Sequence, residues 1–289
     1  MEAVLLGLGA ALGYGTSDFV AGWLSRRVHY ALVAVIATAS AALVTVAALL
    51  LFAPSPPTAQ ALFWGAVSGI GGGFGGLMLY RGLGRGLMGV VAPLSALGTA
   101  VLPVVVGFAL LGDRPSIPAW IGVVLAMPAI WLVSTTGSST TDEPAAGRAP
   151  LAEGVIDGLL AGVGFALLLV GLGLAGDDAG LWPVVAGETT SLILVSVVLV
   201  GTLLRLAQRR LPARDFGGSV AVGLLGGVAS IFYLWSTQAG LLSIVAVITS
   251  LYPAATVVLS ATILHEPIGR RQLVGLGLAA AALVLIVLG

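Results

Sequence analysis

Apolar residues gather into ten long runs separated by short polar breaks, at residues 3–24, 30–52, 61–81, 87–111, 117–135, 154–175, 181–204, 216–238, 241–264 and 270–288. About 20 apolar residues in a helix cross the hydrocarbon core of a bilayer, so the pattern predicts ten transmembrane helices. Because lipid offers the backbone no hydrogen bonds, an all-α membrane fold follows. One stretch, "TGSSTTDEPAAGRAP" at 136–150, is too polar to span and is rich in linker residues. It divides the chain into a first repeat at 1–135, a cytoplasmic linker at 136–150 and a second repeat at 151–289, each repeat with five spans. The first run reads as a retained helix rather than a signal peptide, because Arg26 and Arg27 follow the apolar stretch instead of preceding it.

Composition agrees with the pattern. Apolar residues make up 58% of the chain and charged residues 8%, against roughly 25% charged in a soluble domain. The 42 glycines have no three-residue period, which excludes collagen and points to close helix packing through small residues. There is no lysine and the formal net charge is zero, so charge gives no sign of a nucleic-acid partner. The lack of cysteine removes disulfides, thiolate catalysis and cysteine metal sites. With only His29 and His265, no histidine metal site is expected either.

The halves resemble each other at a nearly constant offset. At 151, Glu2, Gly7, Gly13, Tyr14 and Gly22 fall on Glu153, Gly158, Gly164, Phe165 and Gly173. At 154, Gly72, Gly73, Gly86, Leu87, Val91, Ala92 and Leu97 fall on Gly226, Gly227, Gly240, Leu241, Val245, Ala246 and Leu251. At 153, Asp113 and Gly122 fall on Glu266 and Gly275. Five spans per copy is an odd number, so the second copy enters the membrane from the opposite side and the repeat is inverted. Arginine placement gives an independent test, because basic residues collect in cytoplasmic loops. Every arginine except Arg114 lies in a loop that follows an odd-numbered span, a bias that places those loops inside and both termini outside.

The segment "GLMGVVAPLSALGTAVLPVVVGFALLGDRPSIPAWIGVVLA" and its partner "GLLSIVAVITSLYPAATVVLSATILHEPIGRRQLVGLGLA" resemble the two EamA domains of ten-helix transporters in the drug/metabolite transporter superfamily. The shared pattern is a glycine before span 4 or 9, a mid-helix proline (Pro103, Pro253), an acid closing that helix (Asp113, Glu266) and a glycine in the next (Gly122, Gly275). "GYGTSDFVAG", residues 13–22, is similar to the first-helix segment of these proteins. The resemblance covers essentially the whole chain and implies export or exchange of small metabolites, amino acids or drugs across a cell membrane. Such transport is usually proton-coupled or passive, without ATP or any other cofactor. Family members are usually drawn with both termini in the cytoplasm, from which the arginine pattern here departs.

Asp18, in the middle of "GYGTSDFVAG", is the leading candidate for substrate binding or coupling. An acid within a span is costly, about 2.5–3.5 kcal/mol on insertion scales, and usually faces a bundle interior or a watery cavity. It lies about 10 Å from the nearer helix end; the alternative is a packing bond to Thr16, Ser17 or a neighbouring helix. Glu188, in "VVAGETTSLIL", is the second candidate, with Thr189, Thr190 and Ser191 offering local bonds instead. Tyr14 is one helical turn from Asp18 on the same face. Ser95 and Thr99 share a face of span 4 between Pro93 and Pro103, and Thr249, Ser250, Tyr252 and Pro253 mark the matching part of span 9. Prolines in spans accompany broken helices near binding sites, although small hydroxyl residues also serve as helix glue. Tyr233 and Gln238 complete the set near the end of span 8, where membrane-interface anchoring is the alternative. Asp157 is expected near the start of its helix as an interfacial acid complementing the dipole, and Asp113 and Glu266 as turn-forming acids.

No basic residue lies inside a span away from its ends, so the expected partner is a cationic, zwitterionic or neutral small molecule, besides membrane lipid. A homodimer stays open. Other classes remain. A lipid translocase of the same fold is one. An intramembrane enzyme using Asp18 and Glu188 as acid and base is another, but the chain has no HExxH, no GxSxG and no nucleophile beside a base. The chain also has no P-loop for an ATP-driven pump.

Overall fold

Long runs of Ala, Leu, Val and Gly in a solvent that cannot bond the backbone leave the helix as the open-chain solution. The computed structural model describes residues 2–52, 56–85, 88–106, 116–135, 151–176, 180–203, 212–239, 249, 252–264 and 269–288. Among these, ten helices and no strand are present: α1 (Glu2–Ser25), α2 (Tyr30–Leu51), α3 (Ala59–Gly84), α4 (Met88–Val106), α5 (Ile117–Thr135), α6 (Leu151–Gly173), α7 (Trp182–Leu203), α8 (Ala213–Ala239), α9 (Tyr252–Ile263) and α10 (Arg270–Leu288). Six of them, α1, α2, α3, α6, α7 and α8, are long and apolar enough to cross a membrane. Asp113, Arg114, the 136–150 linker, Ser250 and Glu266 lie outside the described residues. Local signals begin two of the helices: Thr58 Oγ1 accepts from the Ala61 N–H at 3.1 Å to cap α3, and His29 Nδ1 accepts from the Ala31 N–H at 3.3 Å to cap α2. Partial burial lowers the His29 pKa and so favours the neutral ring that this cap requires.

Helix pairing crosses between the halves. α1 packs on α8, α3 on both α6 and α7, α2 on both α7 and α8, α4 on α6 and α1 on α9, while α5 and α10 pair with each other. Glycine makes the closest of these contacts possible. A methyl added at Gly69 would collide with the Gly187 carbonyl, and one at Gly223 with the Ala37 carbonyl. Gly69 and Gly223 are 154 apart, as the sequence repeat has it, and their partners Gly187 and Ala37 are 150 apart. Gly73 and Gly227 repeat the relation, lying against Ser191 and Ala41, again 150 apart. The contacts therefore align α2 with α7, a correspondence absent from the sequence repeat. Aliphatic side chains such as Leu5, Leu12, Leu43, Ile193 and Val197 point outward, as befits a molecule whose surroundings are hydrocarbon.

The two ends of the bundle differ in chemistry. At one end Ser25, closing α1, lies against Gly84, closing α3, and the Trp23 ring receives Arg27 at 4.2 Å and Arg214 at 6.0 Å. Here too Arg81 and Arg85 of the α3 terminus grip the start of α6. Both Arg81 Nε (2.9 Å) and Arg81 Nη2 donate to Asp157 Oδ1, Arg85 Nη1 donates to Asp157 Oδ2 at 2.8 Å, and Arg85 Nη2 meets Glu153 Oε2 at 2.9 Å. Asp157 is only 1% exposed, and beside its place near the start of α6 two guanidiniums compensate its charge. The other end carries aromatic contacts and no arginine among the described residues. Phe52 meets Trp235 edge-on at 5.1 Å, Ser236 Oγ donates to the Ala3 carbonyl at 2.6 Å, and Gln60 Nε2 donates to the Leu174 carbonyl at 2.9 Å.

Candidate functional site

A cavity of about 150 Å³ lies between the halves, lined from α1, α2, α3, α4, α6, α7, α8 and α9 together with Thr249. Among the described residues the α5–α10 pair takes no part in its wall. Glycines on α3 (Gly72, Gly73, Gly76) and α8 (Gly223, Gly226) form much of the surface, so the space exists where side chains are missing from otherwise tightly packed helices.

Both intramembrane acids face this cavity. Asp18 is 8% exposed, and no hydrogen bond to its carboxylate is present among the described residues, so the packing alternative of a bond to Thr16 or Ser17 is not what the structure contains. Tyr14, Tyr80 and Tyr252 line the same cavity. Glu188 is held differently. Tyr14 Oη donates to Ser230 Oγ at 3.0 Å, and Ser230 Oγ donates onward to Glu188 Oε1 at 3.3 Å. This chain joins α1, α8 and α7 across the two halves. Ser230 Oγ also lies 3.1 Å from the Gly226 carbonyl.

Most of the remaining hydroxyls of the wall turn their protons to backbone. Ser17 Oγ donates to the Val222 carbonyl at 3.0 Å, Thr38 Oγ1 to Ala34 at 2.8 Å, Thr99 Oγ1 to Ser95 at 2.8 Å and Ser191 Oγ to Gly69 at 2.7 Å. Thr249 Oγ1 is buried without a hydrogen-bond partner. Among the described residues no arginine or histidine lines the cavity, and no cluster of acids and histidines could hold a metal ion.

Of the residues singled out in the sequence, Tyr14, Asp18, Thr99, Glu188 and Tyr252 meet at the cavity. Ser95 supports it from behind, its Oγ 3.2 Å from the Tyr252 hydroxyl. Tyr233 is buried in an apolar cluster with Ala10, Leu172 and Leu181 instead, and Gln238 is exposed at the end of α8. Residues that sequence reasoning passed over include Ser17, Thr38, Tyr80, Ser191 and Ser230. Ser230 had a usable signal, since it stands at the 154 offset from Gly76 and one helical turn from the glycine pair of α8.

The EamA-like transporter family matches the chain over residues 1–135 and again over 153–288. The fold and the central cavity thus belong to a multi-pass membrane transporter of the drug/metabolite transporter superfamily. The chain is a member of the EamA-like transporter family. A search of curated proteins finds no match. A solved crystal structure of a protein superposes on 99% of this chain and 97% of its own, with a TM-score of 0.65 and 18% sequence identity, a likeness of fold.

Proposed function

We propose that this protein is a secondary carrier that moves a small cationic, zwitterionic or neutral solute by alternating access, exchanging it for protons at Asp18. The observation that carries the reading is the cavity itself: it is shared by both halves, and Asp18 faces it with no hydrogen bond among the described residues. A buried acid with no fixed partner is free to take either a proton or a positively charged group in turn. Glu188, already held by Ser230, sets the field beside it.

Ten spans in an inverted five-plus-five repeat provide the two access states. Packing between equivalent pairs supports this: α1 on α8 corresponds to α6 on α3, and α2 on α8 to α7 on α3. One pair breaks the rule. α1 and α3 pack together, whereas their counterparts α6 and α8 have no comparable packing. In this conformation α1 and α3 are drawn together toward the arginine-bearing end. By the positive-inside tendency the arginine-bearing end is cytoplasmic, so separation of α1 from α3 would open the cavity to that side.

Flux in proteoliposomes under an imposed pH gradient tests the reading, with a panel of amines, amino acids and neutral metabolites on wild type and Asp18→Asn. The expected result is gradient-driven flux of one solute class, abolished in the variant. Equal flux in both proteins would remove Asp18 from coupling, and no solute flux under any gradient would reject the carrier.

A further inference from the structure

We propose that the cavity selects small organic ammonium ions and discriminates against amino-acid zwitterions and organic anions. The inference rests on reading this cavity as the substrate site and narrows what that site takes.

The balance of hydrogen-bonding groups carries the argument. Asp18 and Glu188 present carboxylate oxygens, and among the described residues of the lining no base answers them. Ser17, Thr38, Thr99 and Ser191 have each given their single hydroxyl proton to a backbone carbonyl, so what they retain for a ligand is oxygen lone pairs. The Tyr14 proton goes to Ser230, and the Ser230 proton to Glu188 or the Gly226 carbonyl. Thr249 Oγ1, buried without a partner, and the Tyr80 hydroxyl remain as donors, so acceptors outnumber donors in the wall. An ammonium group, which only donates, satisfies such a wall. A carboxylate, which only accepts, would sit near two acids with few donors, and a buried charge without donors is strongly disfavoured.

The aromatic lining points the same way. Tyr14, Tyr80, Phe165 and Tyr252 come from α1, α3, α6 and α9 to one cavity, and the Tyr14 and Tyr252 rings meet edge-on with centroids 6.5 Å apart. The Tyr14 hydroxyl is tied to Ser230 and the Tyr252 hydroxyl to Ser95, which fixes both rings in place. Aromatic rings attract a cation through their faces, an effect that grows when the cation is desolvated. Asp18, without a hydrogen bond among the described residues, supplies the counter-ion within the same space when ionised. A cavity of about 150 Å³ takes a group about the size of benzene, so the fitting ligand is a compact amine with one ring or a short branched chain.

Three probes that differ in one group each separate the possibilities: 2-phenylethylamine, phenylalanine and 2-phenylethanol. Binding to the purified full-length protein in detergent is measured by calorimetry, and flux of each probe in proteoliposomes. The amine should bind at least about tenfold more tightly than phenylalanine or the alcohol, the ratio expected of a charged hydrogen bond. Tyr80→Leu should weaken amine binding by about 2- to 30-fold, the range of a cation–π contact, and Tyr80→Phe should retain it. Phenylalanine or the alcohol binding as well as the amine would overturn the proposal on wild-type protein alone, and unchanged amine binding in Tyr80→Leu would overturn the aromatic part. The two readings fail separately. Preferred flux of phenylalanine leaves the carrier standing and removes the ammonium selectivity, whereas tight amine binding without any flux does the reverse.

Discussion

The two halves of the cavity share a backbone plan and differ in chemistry. In one direction the chain Tyr14–Ser230–Glu188 crosses between halves. Applying the offsets of 151, 154 and 150, its counterparts are Phe165, Gly76 and Thr38, and all three also line the cavity. None of the three can repeat the original role: Phe165 has no hydroxyl, Gly76 has no side chain and Thr38 has no carboxylate. Asp18 likewise stands opposite Leu169, another wall residue. The end clasp follows the same rule, with Arg81 and Asp157 answering to Trp235 and Leu6. Repetition thus supplies the helix contacts, which depend on glycine and backbone, and the polar groups are placed once. A fully symmetric cavity would have put four acids into a low-dielectric space, where each added like charge is unfavourable.

The largest expected effect comes from breaking the feature with no counterpart. Asp157→Ala leaves two guanidiniums facing each other at the α3–α6 contact, and with both arginines about 30% exposed the loss should fall at the low end for a buried pair, about 3 kcal/mol. Thermal unfolding in detergent would register it, and an unchanged midpoint would mean that the clasp contributes nothing. Next come the glycines that the halves do share. Gly69→Ala and Gly223→Ala each force a methyl against a backbone carbonyl that cannot yield, which should destabilise by about 2 kcal/mol each. Near-equal values would sharpen the correspondence of α3 with α8, and a cost at only one site would break it.

Smaller effects probe the polar chain. Ser230→Ala removes the link between Tyr14 and Glu188 and should lower stability by about 1 kcal/mol, with a larger fall in flux because the Glu188 carboxylate loses its orientation. A Cβ at Gly76 meets nothing within 4 Å, so Gly76→Ser should change the unfolding midpoint little, by less than about 0.5 kcal/mol. Adding Phe165→Tyr and Thr38→Glu to it builds the mirror of the chain. If the asymmetry matters for transport, that triple variant folds and loses directional, gradient-driven flux; retained flux would show that the missing chain is incidental.

Hydropathy and charge along the chain were enough to establish the solvent, the helical fold class, the helix order and the bias of arginine toward odd loops, because each depends only on local composition and on the cost of polar groups in lipid. The repeat was legible too, where glycine marks close packing. Asp18 and Glu188 stood out since an acid in an apolar run is conspicuous by itself. Only the tertiary structure decided that these acids share one cavity, that Asp18 is unbonded while Glu188 is held, and that Tyr80, Ser191 and Ser230 belong with them and Tyr233 and Gln238 do not. Small hydroxyls and tyrosines look alike in sequence whether they pack, anchor or line a site. What separates them is which helix face meets which neighbour. Contacts such as Gly69 on Gly187 and Gly223 on Ala37, far apart in the chain, set that register.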